Sequence, residues 1–270
     1  MNTTFLNAPL IEIIAELRWA HNPASATQVQ PGAPIIILNS SKIDEFFMRF
    51  GGEIYSSGFK KTERLVPSDF PAMLYQPVFR YRKDGEDGDG AVLYQTGPGI
   101  FAANAIPPYK SWDVFSPAVK SGVDALLNSR DDAEKASPFN TISLRYIDAF
   151  GPSLTRGMDV RTFLSDILGV SVVLPEGISK VIDQNAKVKP HIQLLLPIDD
   201  NTNMNLTLAE AMVNNELSII MDSTVVITGE IAPDADSVMN SLNGSHQIIH
   251  EMFINLTVKI RDLMFPVESA

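Results

Sequence analysis

The sequence predicts an α+β fold built from two β-α-β-β-β-α halves, a duplicated unit forming one large, mainly antiparallel sheet with its helices packed on one face. Three observations predict it. Residues 11, 13, 15, 17 and 19 are Ile, Ile, Ala, Leu and Trp, a period-two apolar row that marks an early strand. A second strand-like run, Phe139–Phe150, opens the chain's second half after a polar stretch, with Ile142, Leu144 and Tyr146 on one face and Arg145 on the other. Each half then closes on apolar residues at helical spacing. The division is expected at about 130/131, giving residues 1–130 and 131–270. No residue-level repeat is visible, so the duplication rests on element order alone.

Taken in order, the opening strand carries Leu10, Glu12, Ile14, Glu16 and Arg18 on its second face. His21 to Pro34 is rich in Pro, Ala, Ser and Gln and reads as a loop. Ser40 or Ser41 then caps a helix whose stripe is Ile43, Phe46, Phe47, Phe50 and Ile54. Strands are expected at Met73–Arg82 and Ala91–Thr96. The Asp- and Gly-rich run Asp84–Gly90 between them lacks the alternating carboxylates and distal Glu of a calcium loop, and reads as a hairpin tip. Gly97-Pro98-Gly99 is a turn, Ile100–Ala105 a short strand, and Ser111 opens a helix bearing Trp112, Phe115, Val119, Val123 and Leu126. Asn128–Pro138 is the polar stretch that serves as the internal boundary. In the second half, Asp159 starts a short helix through Leu168. Strands follow near His191–Ile198, Met204–Leu208 and Leu217–Thr228, then a long helix from Pro233 to Met264.

That last helix carries Ala235, Met239, Leu242, His246, Ile249, Phe253, Leu256, Ile260 and Leu263 in alternating steps of four and three. The seam either packs on the chain's own sheet or joins a second copy; Leu242, His246, Ile249, Phe253, Leu256 and Ile260 are its interaction candidates. Asn243-Gly244 is a point where the helix could kink. His246 and His250 are four residues apart on one helical face and are candidate metal ligands, although no HExxH or HxxEH pattern accompanies them. A packed, hydrogen-bonded pair is the default reading.

Composition narrows the function classes. The 270 residues contain no cysteine, which removes disulfides, Cys-ligated zinc or iron–sulfur sites and thiol nucleophiles. The formal charge of −11 argues against nucleic acid as a partner, because phosphate contacts need local cation density. No signal-peptide pattern or membrane-spanning run is present, so a cytoplasmic protein is expected. Phosphate-loop, dinucleotide-binding and nucleophile-elbow motifs are missing, and no cofactor is expected. The remaining chemistry is strand-borne: Glu12, Glu16, Arg18 and Arg145, with Asp148, form either an ion-pair network between the opening strands or an acid/base pair of carboxylates beside an anion-holding arginine.

Several short motifs resemble a sporadically distributed bacterial protein family with an N-terminal PLxExxxELR-type signature. Here that signature is Pro9, Leu10, Glu12, Glu16, Leu17, Arg18 and Trp19. The likeness continues at Tyr109 and Trp112, at Leu144-Arg145-Tyr146-Ile147, and at His250, Phe253 and Leu256-Thr257; Asp148 stands where the pattern would have Asn. The resemblance implies no particular reaction, and the patchy occurrence of such proteins suggests mobile genes, as in phage defence or toxin–antitoxin pairs. The duplicated topology is also similar to that of the TATA-binding protein, a likeness of fold that carries no function.

The expected function is that of a non-enzymatic cytosolic binding or regulatory protein working through a protein partner, as a homodimer. The alternatives are a hydrolase or metal-dependent nuclease using Glu12 and Glu16, and a nucleic-acid binder on the sheet face.

Overall fold

A computed structural model describes residues 3–20, 26–29, 36–38, 40–70, 72–83, 91–107, 111–183 and 187–268. The first half runs β1 (Thr3–Phe5), β2 (Leu10–Trp19), β3 (Ala26–Val29), β4 (Ile36–Leu38), α1 (Ser40–Tyr55), β5 (Lys61–Arg64), β6 (Phe79–Arg82), β7 (Val92–Gly97), β8 (Ile100–Ala105) and α2 (Trp112–Ser129). The second runs α3 (Asp132–Lys135), β9 (Phe139–Phe150), α4 (Pro152–Thr155), α5 (Val160–Asp166), α6 (Glu176–Ser179), β10 (Ile192–Pro197), β11 (Thr202–Val213), β12 (Glu216–Ile231) and α7 (Ala235–Leu256). A 3-10 helix, Val258–Met264, and β13 (Pro266–Glu268) close the chain.

Nine strands form one antiparallel sheet in the order β10-β11-β12-β9-β2-β8-β7-β6-β5. In each half the opening strand pairs with the last strand of the meander that follows it, β2 with β8 and β9 with β12. The halves meet where β2 lies antiparallel to β9, so they share one sheet. This is the duplicated α+β architecture, with one addition. The first half holds four strands after α1, because β5 extends the meander. β5 reads Lys-Thr-Glu-Arg and offers no apolar alternation from which a strand could be inferred.

Period-two alternation decides which face is covered. Ile13, Ala15, Leu17 and Trp19 are buried against the helices, and so are Ile142 and Leu144 of β9. The helical stripes supply the other side of this core: Phe50 and Ile54 from α1, Phe115, Val119, Val123 and Leu126 from α2, and Val238, Leu242 and Ile249 from α7. A second cluster lies under the second half, where Phe163 and Leu164 of α5 meet Phe150, Leu208 and Met221 of the sheet. Asp159 caps α5 by accepting from the Thr162 amide at 3.0 Å, and Asp234 caps α7 from the Ser237 amide at 2.8 Å.

Three expectations are corrected. The strand foreseen over Met73–Arg82 is confined to Phe79–Arg82. The final helix passes through Asn243-Gly244 unbroken but ends at Leu256, where the Thr257 hydroxyl donates to the Phe253 carbonyl at 2.7 Å and the chain tightens into 3-10 geometry. The loop foreseen over His21–Pro34 contains the strand β3, Ala26–Val29. Within the polar stretch Asn128–Pro138, Ser129, Arg130 and Glu134 are buried. Arg130 is 1% exposed, its guanidinium lying 5.2 Å from the Trp19 ring and 5.1 Å from Phe139. The short pair β1–β13 tethers the two ends of the described chain together.

Pro98-Gly99 turns β7 into β8, and the approach there is close. A Cβ at Gly97 would sit 1.9 Å from the Gln76 carbonyl oxygen, a backbone atom. Gly97→Ala is therefore expected to lower stability by at least about 1–3 kcal/mol, the usual cost of overpacking, read as a lowered midpoint in urea unfolding.

Candidate functional site

Three places carry chemistry. The first is the uncovered face of the sheet, where β2 and β9 place Glu12, Glu16, Arg18 and Arg145. These groups are brought together as expected, but their pairing is local. Arg18 donates to Glu16 at 2.7 Å, and Glu12 accepts from the Asn104 amide at 2.9 Å. Arg145 grips Asp222 of β12 with two bonds, at 2.8 and 2.5 Å, which raises its already high pKa further. Asp222 is the partner that sequence reasoning missed. It lies 77 residues away, and only the β9–β12 pairing brings it close. Each cation on this patch is matched by a carboxylate, which leaves neither arginine poised for a free phosphate.

Asp148 does not join this network. Counting by twos along β9 from Leu144 and Tyr146 puts it on the helix-covered face, opposite to Arg145. There it lines the second place, a cavity between α7, the N-terminus of α2 and the segment around β1 and Leu10. A register shift between Leu10 and Glu12 sets Leu10 directly across from Asp148. The cavity is open to solvent at its mouth and offers about 90 Å³ to the centres of water-sized occupants.

Its polar side is an aromatic stack. The Trp112 ring lies nearly parallel to that of His246, 15° apart with centroids 5.4 Å apart, and the Trp112 indole donates to Asn243 at 2.7 Å. A 2.8 Å hydrogen bond joins the Tyr146 hydroxyl and Nδ1 of His246, and His250 follows at 5.5 Å between ring centroids. Burial lowers the pKa of His246 to about 4, with the neighbouring His250 adding to the effect, and burial lowers that of His250 as well. Both rings are therefore neutral near pH 7. His246 spends one ring nitrogen on Tyr146, and no three His, Asp or Glu side chains among the described residues converge as a metal site.

Asp148 is 4% exposed, and burial, with a smaller push from Asp222, raises its pKa to about 8. No hydrogen bond among the described residues offsets that burial. From sequence Asp148 was joined to the network of Glu12, Glu16, Arg18 and Arg145; an Asp in the apolar row of β9 was the signal that sets it apart.

The third place is the pair of sheet edges. β5, at one edge, is charged at three of its four positions, and Arg64 and Glu63 form ion pairs with Asp44 and Arg80. β10, at the other, reads Ile-Gln-Leu-Leu-Leu-Pro without a charge, and Leu195 is 66% exposed.

The seam of α7 is turned inward. Leu242, Ile249 and Ile260 are buried, Phe253 and Leu256 pack on the second core cluster, and His246 is held in the aromatic stack. Of the two readings of the seam, packing within the chain is the one these contacts show, with Ile260 contributing from the 3-10 helix that follows α7. His21, Tyr109 and the Asp84–Gly90 run lie outside the described residues.

Comparison with known proteins gives no match to a family model and no match to a curated protein. Among solved structures, the crystal structure of the di-domain ARO/CYC StfQ from the steffimycin biosynthetic pathway aligns over 93% of this chain and 98% of its own, at 7% identity and a TM-score of 0.20. A likeness that low carries no argument about this chain. Among the described residues no helix is long and apolar enough to cross a membrane.

Proposed function

We propose that the protein is a non-enzymatic, cytoplasmic binding protein with a regulatory role, working through protein–protein contact, and that its docking element is β10. The observation that carries this reading is the inequality of the two sheet edges. An edge strand offers unpaired backbone groups to any strand that approaches, and proteins guard such edges with charge. β5 is guarded in this way; β10 is not.

The occupant is a second copy of the chain. Antiparallel pairing of β10 with β10 is isologous, so each strand supplies what the other needs. An uncharged strand is also where two chains of net charge −11 can approach with least repulsion. The dimer would join two open sheet faces into one broad surface of Thr, Ser and Asn side chains on which a further protein could be seated. The resemblance of the N-terminal signature to a patchily distributed bacterial family agrees with a role in phage defence or a toxin–antitoxin pair. The carboxylates Glu12 and Glu16 serve the sheet in this reading, tying neighbouring strands.

Leu195→Lys places a charge on the exposed edge without touching the core. It is expected to convert a dimer into a monomer in sedimentation analysis, weakening self-association at least about tenfold, with unchanged circular dichroism. A wild-type protein that is monomeric at tens of micromolar, or a variant that stays dimeric, would overturn the assignment of β10.

A further inference from the structure

The cavity under α7 has a feature that the docking reading does not use: a buried carboxyl group in a largely aromatic pocket, with no hydrogen-bond or ion-pair partner among the described residues. We propose that this cavity binds a small organic cation, whose ammonium group pairs with Asp148 while its apolar body packs against the aromatic walls.

Buried carboxylates in proteins are paired with cations or held by several donors, because removing a charge from water is costly. Asp148 has neither among the described residues, yet its side chain lines a cavity that opens to solvent and leaves room for a compact ligand. The sign of the missing partner follows from the lining. Among the described residues it contains no Lys or Arg, although the positive charge of the chain's amino terminus is felt at His250, and it contains a second carboxylate, Asp113 at the start of α2. The walls are Phe5, Trp112, Tyr146 and Phe253, whose ring faces attract cations, together with Leu10 and Ile249 for an apolar body. An anion would meet the Asp113 carboxylate and no cation among the described lining residues, and a purely apolar ligand would leave Asp148 unpaired.

The groups around Asp148 agree with this. From α7, His246 and His250 are uncharged near pH 7 and do not repel a cation. From α2 comes Asp113, and from β9 itself the Tyr146 hydroxyl, engaged with His246. Asp222 lies on the neighbouring strand, across the sheet, and its charge makes the ionised Asp148 harder to form without a cation. An ammonium ion entering the cavity would pair with the carboxylate form, so the carboxyl proton is released to solvent as the ligand binds. Below about pH 8, where free Asp148 holds its proton, affinity for an amine should rise about tenfold per pH unit, because one proton is exchanged. Above that pH it should level off.

The test uses the full chain and a panel of primary amines, namely butylamine, hexylamine and phenethylamine, against phenethyl alcohol and 3-phenylpropanoate. Binding is followed by calorimetry and by fluorescence. Trp112 lines the cavity and the chain's second tryptophan, Trp19, is buried in the core, so the fluorescence change reports the site. At least one amine is expected to bind ten times or more tighter than the alcohol or the acid, with release of close to one proton at pH 7 read from buffer-dependent heats. Asp148→Asn, which keeps shape and fold, should weaken that amine at least tenfold and abolish the pH dependence, with the dimer unaffected. The proposal is overturned if no amine in the panel binds, if the alcohol binds as well as the amine, or if Asp148→Asn retains amine affinity.

Discussion

Asp148→Asn is expected to stabilise the protein at pH 7–8 and to leave its stability nearly unchanged at pH 4. The sign follows from proton linkage. The folded pKa of about 8 lies above the ordinary value of 3.8, so between these pH values the folded chain holds a proton that the unfolded chain has released. Stability is therefore lost as pH rises through that window, by about 1.4 kcal/mol per pH unit, and the loss is complete above about pH 8. At pH 7 it is on the order of 4 kcal/mol, equivalent to roughly 10 °C in Tm for a chain of this size. Asn carries no such proton and stays neutral in both states. Capping carboxylates such as Asp159 and Asp234, whose pKa values are lowered by the backbone amides they cap, act in the opposite direction. They are common to both proteins and cancel in the comparison. Melting curves of the two proteins from pH 4 to pH 9 check the prediction; curves that stay parallel across the range would remove the buried, unpaired state of Asp148.

Trp19→Ala is expected to cost about 3–5 kcal/mol, the range for truncating a buried large aromatic. Of the 5–15 kcal/mol that stabilises most proteins, this is a large share. Trp19 ends β2 and is 2% exposed. Phe139 meets it edge-on, at 6.1 Å and 87°, and Phe46 of α1 approaches at 6.4 Å. Its indole nitrogen donates to Glu134 at 3.1 Å in a buried site, while Arg130 rests over the ring. Truncation would empty the joint between the two halves and remove the aromatic face beneath a buried guanidinium. Trp19→Phe keeps most of the apolar contact but strips Glu134 of the indole donor, at about 1–3 kcal/mol. Urea unfolding of both variants should therefore place Phe between wild type and Ala. Equal midpoints for all three would mean that this joint does not support the sheet.

The parts of the fold written in short-range pattern were legible. β2 and β9 each show their buried row by period two, and α1, α2 and α7 each show theirs by helical spacing. Strand β5 was not legible because Lys61 and Glu63 are exposed and nothing in a short charged run distinguishes an edge strand from a loop. Polarity alone did not reveal that residues within Asn128–Pro138 are buried. Arg130 and Glu134 are buried because each answers a partner on Trp19, a residue more than a hundred positions away.

The functional sites depend on topology more heavily. Asp222 meets Arg145 only through strand order, and the cavity is assembled from four separated stretches around Phe5, Trp112, Tyr146 and His246. The α7 seam shows the same limit from the other side. Its spacing was read correctly as a buried stripe, but spacing alone does not say whether the burying surface belongs to the same chain. Here it does.

The most direct test of the docking reading is amide hydrogen exchange measured strand by strand at high and low protein concentration. If β10 pairs with a second copy, amides in Ile192–Leu196 are protected at high concentration and lose that protection on dilution or in Leu195→Lys, while β5, the guarded edge, exchanges at the same rate throughout. β10 amides whose exchange is independent of concentration and of Leu195→Lys would contradict the account.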